Sequence, residues 1–424
     1  MLTPRIAVNL VVALAIALFG NSAHAFMIGL DGASSSGADA LYALDRNGRE
    51  IKIAQTGSVG PDWVVLEDLG LPSVASDGAV LFGAAREWNH QVRWSIFVAQ
   101  PDSGAVLHVA LPDSFEGGSA LEMRADPRPQ QTTDGGIIFL AHECSHESSN
   151  HKSSDDDALF KLAHGKLTRL VRTGERLSDG RIVHLIAFGS VRPESQGGIA
   201  FSGYLEPGGQ AEMMVSESGA MSVLALQDES SDHAKQLPDS EHFKSFGLPA
   251  STVTADGPLV AFTARTDRGV GLFTFAHGKL SKVLSQSASC GQGHIDYLSA
   301  ARPALNDHGA LAVRGKCSGT EGIFLAKHGT AELIVSADQA THHGTRLDRL
   351  GDPMLSESAV FFGALTTDGD SSLFNIFRGK ISKIVPIEKP ETTVAFQTTT
   401  NRHTIETTSV SINQRGQIAY LGSP

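Results

Sequence analysis

Asn306-Asp307-His308-Gly309-Ala310-Leu311-Ala312-Val313, followed by Gly322-Ile323-Phe324-Leu325 and by Ala331-Glu332-Leu333-Ile334-Val335, is the stretch whose reading decides the fold. It holds a polar turn with a glycine and then three short apolar runs, each of strand length and each bounded by turn residues. Its opening recurs as Asp77-Gly78-Ala79-Val80-Leu81-Phe82, Asp134-Gly135-Gly136-Ile137-Ile138-Phe139 and Gln196-Gly197-Gly198-Ile199-Ala200-Phe201. Asp256-Gly257, Glu357-Ser358 and Arg415-Gly416 open further matches that lead to Val260-Ala261-Phe262, Phe361-Phe362 and Ala419-Tyr420. The turns stand at positions 78, 135, 197, 257, 309, 358 and 416, a spacing of 49 to 62 residues. Self-similarity at this period is the signature of a repeat architecture.

Working outward from the turn, most units continue with a second strand, at 94–99, 158–163, 271–276, 322–326 and 372–377. Tight turns follow at His164-Gly165, His277-Gly278, His328-Gly329 and Arg378-Gly379, and then closing strands at 167–172, 280–284, 331–335 and 381–385. One more short segment precedes the turn, marked by Pro72, Pro129, Pro303 and Pro353. Four short strands in a meander are the content of one β-propeller blade. No useful length of the chain shows the 3.6-residue apolar period of a helical solenoid.

The ends extend the pattern. Residues 40–44 and 50–54 read as the last two strands of a unit, and 408–412 and 417–421 as the first two. Together they make one composite blade and leave no open sheet edge at the join. The expected fold is therefore all-β, a β-propeller of seven blades, each of four antiparallel strands, closed by pairing of N- and C-terminal strands.

Asn306-x-x-Gly309-x-x-Ala312-Val313 and Asn413-x-x-Gly416-x-x-Ala419-Tyr420 resemble the bacterial tandem-repeat proteins named for an Asn-x-x-Gly-x-x-Ala-Phe motif. The resemblance covers most of the chain after its first 25 residues, with Val313 and Tyr420 in the place of Phe and other units lacking the Asn. It implies export and a propeller-like fold, and it implies no particular activity.

The chain is 41% hydrophobic and 19% charged, enough apolar material for a core and too few charges for a disordered or coiled-coil chain. Its net charge is −12 and no two Lys or Arg residues are adjacent, which argues against nucleic acid as a partner. Arg5 precedes a run at 6–19 that is apolar except for Asn9, and Ala23-His24-Ala25 places small residues where signal peptidase reads. Residues 1–25 are thus expected to be a cleaved signal peptide and 26–424 a single periplasmic or extracellular domain. The run is shorter than the ~20 apolar residues that cross a bilayer, so no membrane span is expected after signal removal. Cys290 and Cys317 flank the central strands of one unit, and an exported chain permits a disulfide between them, leaving Cys144 over.

The sharpest candidate for chemistry is His142-Glu143-Cys144-Ser145-His146, a formal His-Glu-x-x-His. On a helix that spacing sets two imidazoles on one face around zinc. Here residues 137–140 align with a strand, which places His142 at a strand end and the rest in a polar loop through Asp157. A metal site at His142, His146 and His151, with the Asp155-Asp156-Asp157 run, is the alternative to a solvated loop. No cofactor is expected otherwise, a divalent metal at this string being the exception.

Asp368-Gly369-Asp370 reads as a hairpin rather than a calcium loop, and His342-His343-Gly344 as a polar connection. His164, His277 and His328 occupy equivalent turn positions, and Trp63 and Arg302 stand near connections between units. Neither a Gly-x-Ser-x-Gly elbow nor a Walker loop occurs. The functional expectation is an exported protein that binds an exported protein or a glycan through its loops, or serves as a scaffold. A hydrolase or lyase with a loop-built site, metal-assisted near His142, is the alternative.

Overall fold

Gly78, Gly135, Gly257, Gly309 and Gly416 all have positive φ, between 74° and 114°. Only glycine enters this region without steric cost, so these residues set where each chain reversal falls. In the third unit Gly198 has a φ of 84°, and the expected turn residue Gly197 lies outside the described residues. The Ser358 turn is held differently: Ser356 Oγ accepts from the Ala359 N–H at 3.1 Å. At Asn306 the side-chain oxygen accepts from the His308 and Ala310 N–H groups, at 3.1 and 3.0 Å. Its Nδ2 reaches out of the turn to the Ser356 carbonyl at 3.2 Å.

The computed structural model describes residues 40–44, 49–58, 65–88, 91–111, 120–123, 127–132, 134–144, 156–187, 198–216, 219–227, 241–327, 329–342, 344–369, 371–384 and 410–422. These residues contain no helix, hence none long and apolar enough to cross a membrane. The expected signal peptide, Trp63, His146, His151, His328, His343 and Asp370 lie outside the described residues.

Among the described residues the strands fall into seven sheets. Six use strands consecutive in the chain, numbered here sheets 1 to 6, with second strands Val80–Trp88, Ile137–Cys144, Ile199–Glu206, Gly257–Thr266, Leu311–Cys317 and Val360–Thr366. The closing sheet joins the two ends of the described chain in the order Glu50–Gln55, Ala40–Leu44, Ile418–Gly422, Val410–Ile412. Ala40–Leu44 pairs antiparallel with Ile418–Gly422 over its whole length, from Ala40 opposite Gly422 to Leu44 opposite Ile418. The arrangement is all-β and propeller-like.

What packs the sheets is a cross-strand pair that recurs between second and third strands. Phe82 pairs with Phe97, Phe139 with Phe160, Phe262 with Phe273, Phe362 with Phe374, and Tyr420 with Tyr42. Their ring centroids lie 5.4 to 5.9 Å apart in stacked arrangements. Aromatic pairs at this spacing add about 0.5–1.5 kcal/mol to the area they bury. Each apolar cluster draws side chains from two successive sheets, and the closing sheet shares one cluster with sheet 6 and another with sheet 1.

His164, His277 and Arg378 have φ near 50°, each followed by a glycine of positive φ. Two consecutive positive φ values make the hairpin turn whose twist matches the strands, so these side chains are fixed by turn geometry. Cys290 and Cys317 form a disulfide with Cα atoms 6.2 Å apart, tying a short strand ahead of the first strand of sheet 5 to the end of its second strand.

Candidate functional site

The end of each sheet opposite the glycine turn is where the units diverge. In five sheets the first strand carries two residues opposite one, a β-bulge between Leu66 and Asp68, Val183 and Leu185, Phe243 and Ser245, Ile295 and Tyr297, and Leu347 and Arg349. The cause is an apolar-x-x-apolar segment. Leu66 and Leu69, Val183 and Ile186, Phe243 and Phe246, Ile295 and Leu298, and Leu347 and Leu350 are all buried. An unbulged strand sends residues three apart to opposite faces; one extra residue returns them to the same face. The extra residues are Glu67, His184, Lys244, Asp296 and Asp348, every one exposed and ionisable.

The rank just beyond the bulges brings a different set of side chains to each sheet. Asp68 stands opposite Ala85, Leu185 opposite Tyr204, Ser245 opposite Arg265, Tyr297 opposite Lys316 and Arg349 opposite Leu365. In sheet 2, where the first strand runs without a bulge, the rank is Glu122, His142 and Asp157 on three adjacent strands. Directly opposed residues point to the same face, so a carboxylate, an imidazole and a second carboxylate form one row. His142 Nδ1 lies 3.1 Å from Asp157 Oδ1. The approach is an ion pair whenever the His142 ring is protonated. In the next row Arg169 donates from Nη1 to Glu143 Oε2 at 2.6 Å, holding that carboxylate in an internal ion pair.

His142 is therefore a strand residue. The expected strand at 137–140 with His142 at its end is extended: the strand runs Ile137–Cys144, and its partner Asp156–Ala163 takes in Asp157 from the expected loop. Polar residues at strand ends read as loop in the sequence, but here cross-strand backbone pairing carries them. His146 and His151 lie outside the described residues, and no group of three or more His, Cys, Asp or Glu among the described residues has metal-holding geometry. Asp368 belongs to a hairpin with Gly369 at φ 90°, its carboxylate accepting from the Thr366 hydroxyl. His342 and Arg302 are exposed.

Sequence reasoning missed the bulged rank altogether. The signal available was the recurrence of Leu66-Glu67-Asp68-Leu69, Val183-His184-Leu185-Ile186, Phe243-Lys244-Ser245-Phe246, Ile295-Asp296-Tyr297-Leu298 and Leu347-Asp348-Arg349-Leu350 in five of the units.

A family of unknown function (DUF7453) matches residues 7–215, just under half of the chain. No curated protein matches the sequence. Among solved structures, the chain is similar to a putative TolB from Agrobacterium tumefaciens, at 11% identity and TM-score 0.38, covering 92% of this chain and 100% of that one. It is similar to Porphyromonas gingivalis dipeptidyl peptidase 4 at 10% identity and TM-score 0.41, covering 82% of this chain and 52% of that one. An ulvan lyase of polysaccharide lyase family PL25 matches at 8% identity and TM-score 0.39, covering 81% of this chain and 87% of that one. The chain spans about half the length of the peptidases it matches. At these identities the likenesses carry nothing about substrate or reaction.

Proposed function

We propose that the chain is an exported binding or scaffold protein with seven propeller blades, the closing sheet being the seventh, and that it meets an exported protein or a glycan on its bulged rank. The observation that carries this reading is the contrast between the two ends of the second strands. At the turn end the units repeat one chemistry, a polar residue and a tight turn. At the other end five sheets keep one bulge and change its exposed side chain, from Glu67 to His184, Lys244, Asp296 and Asp348. The buried residues that flank each bulge are kept, while the residue between them varies and makes only local contacts, as His184 does with Glu206 and Asp296 with the Gly319 N–H. A constant frame with varied exposed groups suits recognition, and bulges re-aim side chains in this way.

Export rests on Arg5, the apolar run at 6–19 and Ala23-His24-Ala25. Fractionation followed by N-terminal sequencing tests it: the expected product is an envelope or secreted protein beginning at Phe26, and a cytoplasmic product retaining Met1 would sink it. Binding is tested with a variant in which Glu67, His184, Lys244, Asp296 and Asp348 are all changed to alanine. The variant should keep the wild-type melting temperature and lose the wild type's signal on glycan arrays and envelope-protein crosslinking. Full retention of that signal would move the contact surface elsewhere.

The 3.1 Å approach of Asp157 to His142 favours a second reading, a hydrolase or lyase in which His142 Nε2 accepts the proton. Under this reading the purified protein cleaves a polysaccharide or peptide, and His142→Gln and Asp157→Asn each lower turnover by about 10²–10⁴-fold. Turnover unchanged in both variants would remove His142 from the chemistry. A metal at His142, His146 and His151 predicts stoichiometric metal in the purified protein, lost in the His142→Ala, His146→Ala double variant.

A further inference from the structure

One third-strand position departs from its counterparts in the other sheets. In sheets 1, 2, 4 and 6 the third-strand residue at the register following the stacked pair is Ile96, Leu159, Leu272 and Leu373, and in sheet 5, after Val313 opposite Phe324, it is Ile323. All five are fully buried. In sheet 3 the same register holds Glu212, opposite Ser202. Glu212 is 0% exposed.

Its surroundings are defined on both sides. Gln210, two residues earlier, bonds the Phe246 backbone of sheet 4 through both ends of its amide, at 3.1 and 3.0 Å. Strand alternation puts Glu212 on that same face, turned to sheet 4. Ser202 Oγ donates to Glu212 Oε1 at 2.7 Å, while Oε2 has no hydrogen-bond partner. Across the joint Phe243, Phe246, Phe262 and Phe273 form the facing surface.

The ionisable groups on the sheet 4 side are Glu241 and Lys282, which are paired with each other, and His242 and the exposed, bulged Lys244. Thr266 donates its hydroxyl to Glu241 as well. Lys282 is opposite Phe273 and so shares its face, but its ammonium is held by Glu241. On sheet 3 itself, Tyr204 and Glu206 follow Ser202 on the same face and are exposed. A carboxylate at Glu212 would thus sit in an apolar joint with one neutral hydrogen bond and its second oxygen unmatched, which is costly for a charged group.

We propose that the joint between sheets 3 and 4 is proton-operated: the sheets stay closed while Glu212 carries a proton, and losing that proton loosens this joint ahead of the others. Burial pushes the Glu212 carboxyl well above the usual carboxylate range, partly opposed by the Ser202 hydrogen bond. A folded-state value raised in this way means that the native state binds the proton more tightly than the unfolded chain. Its stabilising effect is fully present below roughly pH 4.3, where an unfolded glutamate titrates, and declines as pH rises to the folded value. Within that window the folding equilibrium weakens by about tenfold per pH unit.

The test uses the full chain with isotope-labelled glutamate carboxyls, followed by carbon NMR from acid to alkaline pH. One carboxyl should remain protonated well after the others have titrated, and its signal should vanish in Glu212→Gln. In parallel, hydrogen exchange corrected for intrinsic rate should show the amides of 199–227 and 243–285 opening faster as pH rises, relative to those of sheets 1 and 6. Glu212→Leu, which restores the aliphatic of the other sheets, should flatten that dependence. Titration of every glutamate in the ordinary range, or an unchanged exchange profile in Glu212→Leu, would overturn the proposal. Should Glu212→Leu fail to fold, the wild-type titration and exchange data decide alone.

Discussion

Asn413 Nδ2 donates to the Ala75 carbonyl oxygen at 2.7 Å, joining residues 338 positions apart. Asn413 Oδ1 meanwhile accepts from the Arg415 and Gln417 N–H groups, both at 3.0 Å. One amide therefore shapes its own turn and ties that turn to the next sheet, as Asn306 does to Ser356. An asparagine is suited to this because it offers an acceptor and two donors on one planar group.

Asn413→Asp keeps the acceptor and removes the donor, whereas Asn413→Ala removes both. Asp should cost about 1–3 kcal/mol, since the buried link from Nδ2 is lost and the Ala75 carbonyl keeps only the Gly78 N–H, and Ala should cost more. Urea unfolding of both variants checks the order. Equal losses would mean that the turn bonds, and not the link to Ala75, carry the effect.

Phe362 and Phe374 stack at 5.9 Å within sheet 6, both almost entirely buried. Phe362→Ala should lower stability by about 3–5 kcal/mol. Phe362→Leu, which keeps most of the volume, should cost clearly less. Chemical denaturation of the two variants checks this, and a near-neutral alanine would show that the joint repacks freely.

The Cys290–Cys317 disulfide closes a loop with a sequence separation of 27. Replacing both cysteines by serine should cost about 3–4 kcal/mol through the unfolded chain's regained freedom. Comparing unfolding of wild type, reduced wild type and the double variant checks the value. Agreement between the last two would assign the loss to the crosslink alone.

The Lys161 ammonium, and after it the Thr132 hydroxyl, hold the Asp134 carboxyl down at about 2. A depressed folded value gives stability that is present above roughly pH 3.9, where an unfolded aspartate titrates, and is lost as pH falls towards about 2. The pair is partly exposed, so the effect should be modest and salt-sensitive. The difference between wild type and Asp134→Asn should shrink from pH 6 to pH 2; a constant difference would remove the ion pair as its cause.

Turn chemistry and strand length were legible because each is local. Gly309 announces its reversal, and Asn306 announces a side chain able to bond the turn. The bulged rank was not legible, because Leu66-Glu67-Asp68-Leu69 has a spacing that fits neither strand alternation nor a helix of useful length; only the buried pairing on both sides resolves it. His142 was found at a strand end but Asp157 was placed in a loop, since nothing local reveals that the two lie side by side. Glu212 escaped for the same reason. Its neighbours Ala211 and Met213 look like core, and its oddity appears only when Ser202 is set opposite it and the same register is compared across the sheets.

Tyr420 stands where the repeat motif has Phe, and its hydroxyl donates to Glu50 in the outermost strand of the closing sheet. Tyr420→Phe should cost about 0.5–3 kcal/mol, the hydrogen bond being made to a charged group. Thermal unfolding against Glu50→Gln checks it, and additive losses in the double variant would show that the two groups do not interact.

The closing sheet also imposes an order of events. Ala40 pairs locally with Gln55 on one side, but on the other it pairs with Gly422, so that edge waits on a strand far away in sequence. Pairings so distant in sequence are entropically slow to form. Sheets 1 to 6 can assemble from local hairpins, whereas the closing sheet needs strands far apart in sequence, and before they meet each leaves an open edge of the kind another chain can pair with.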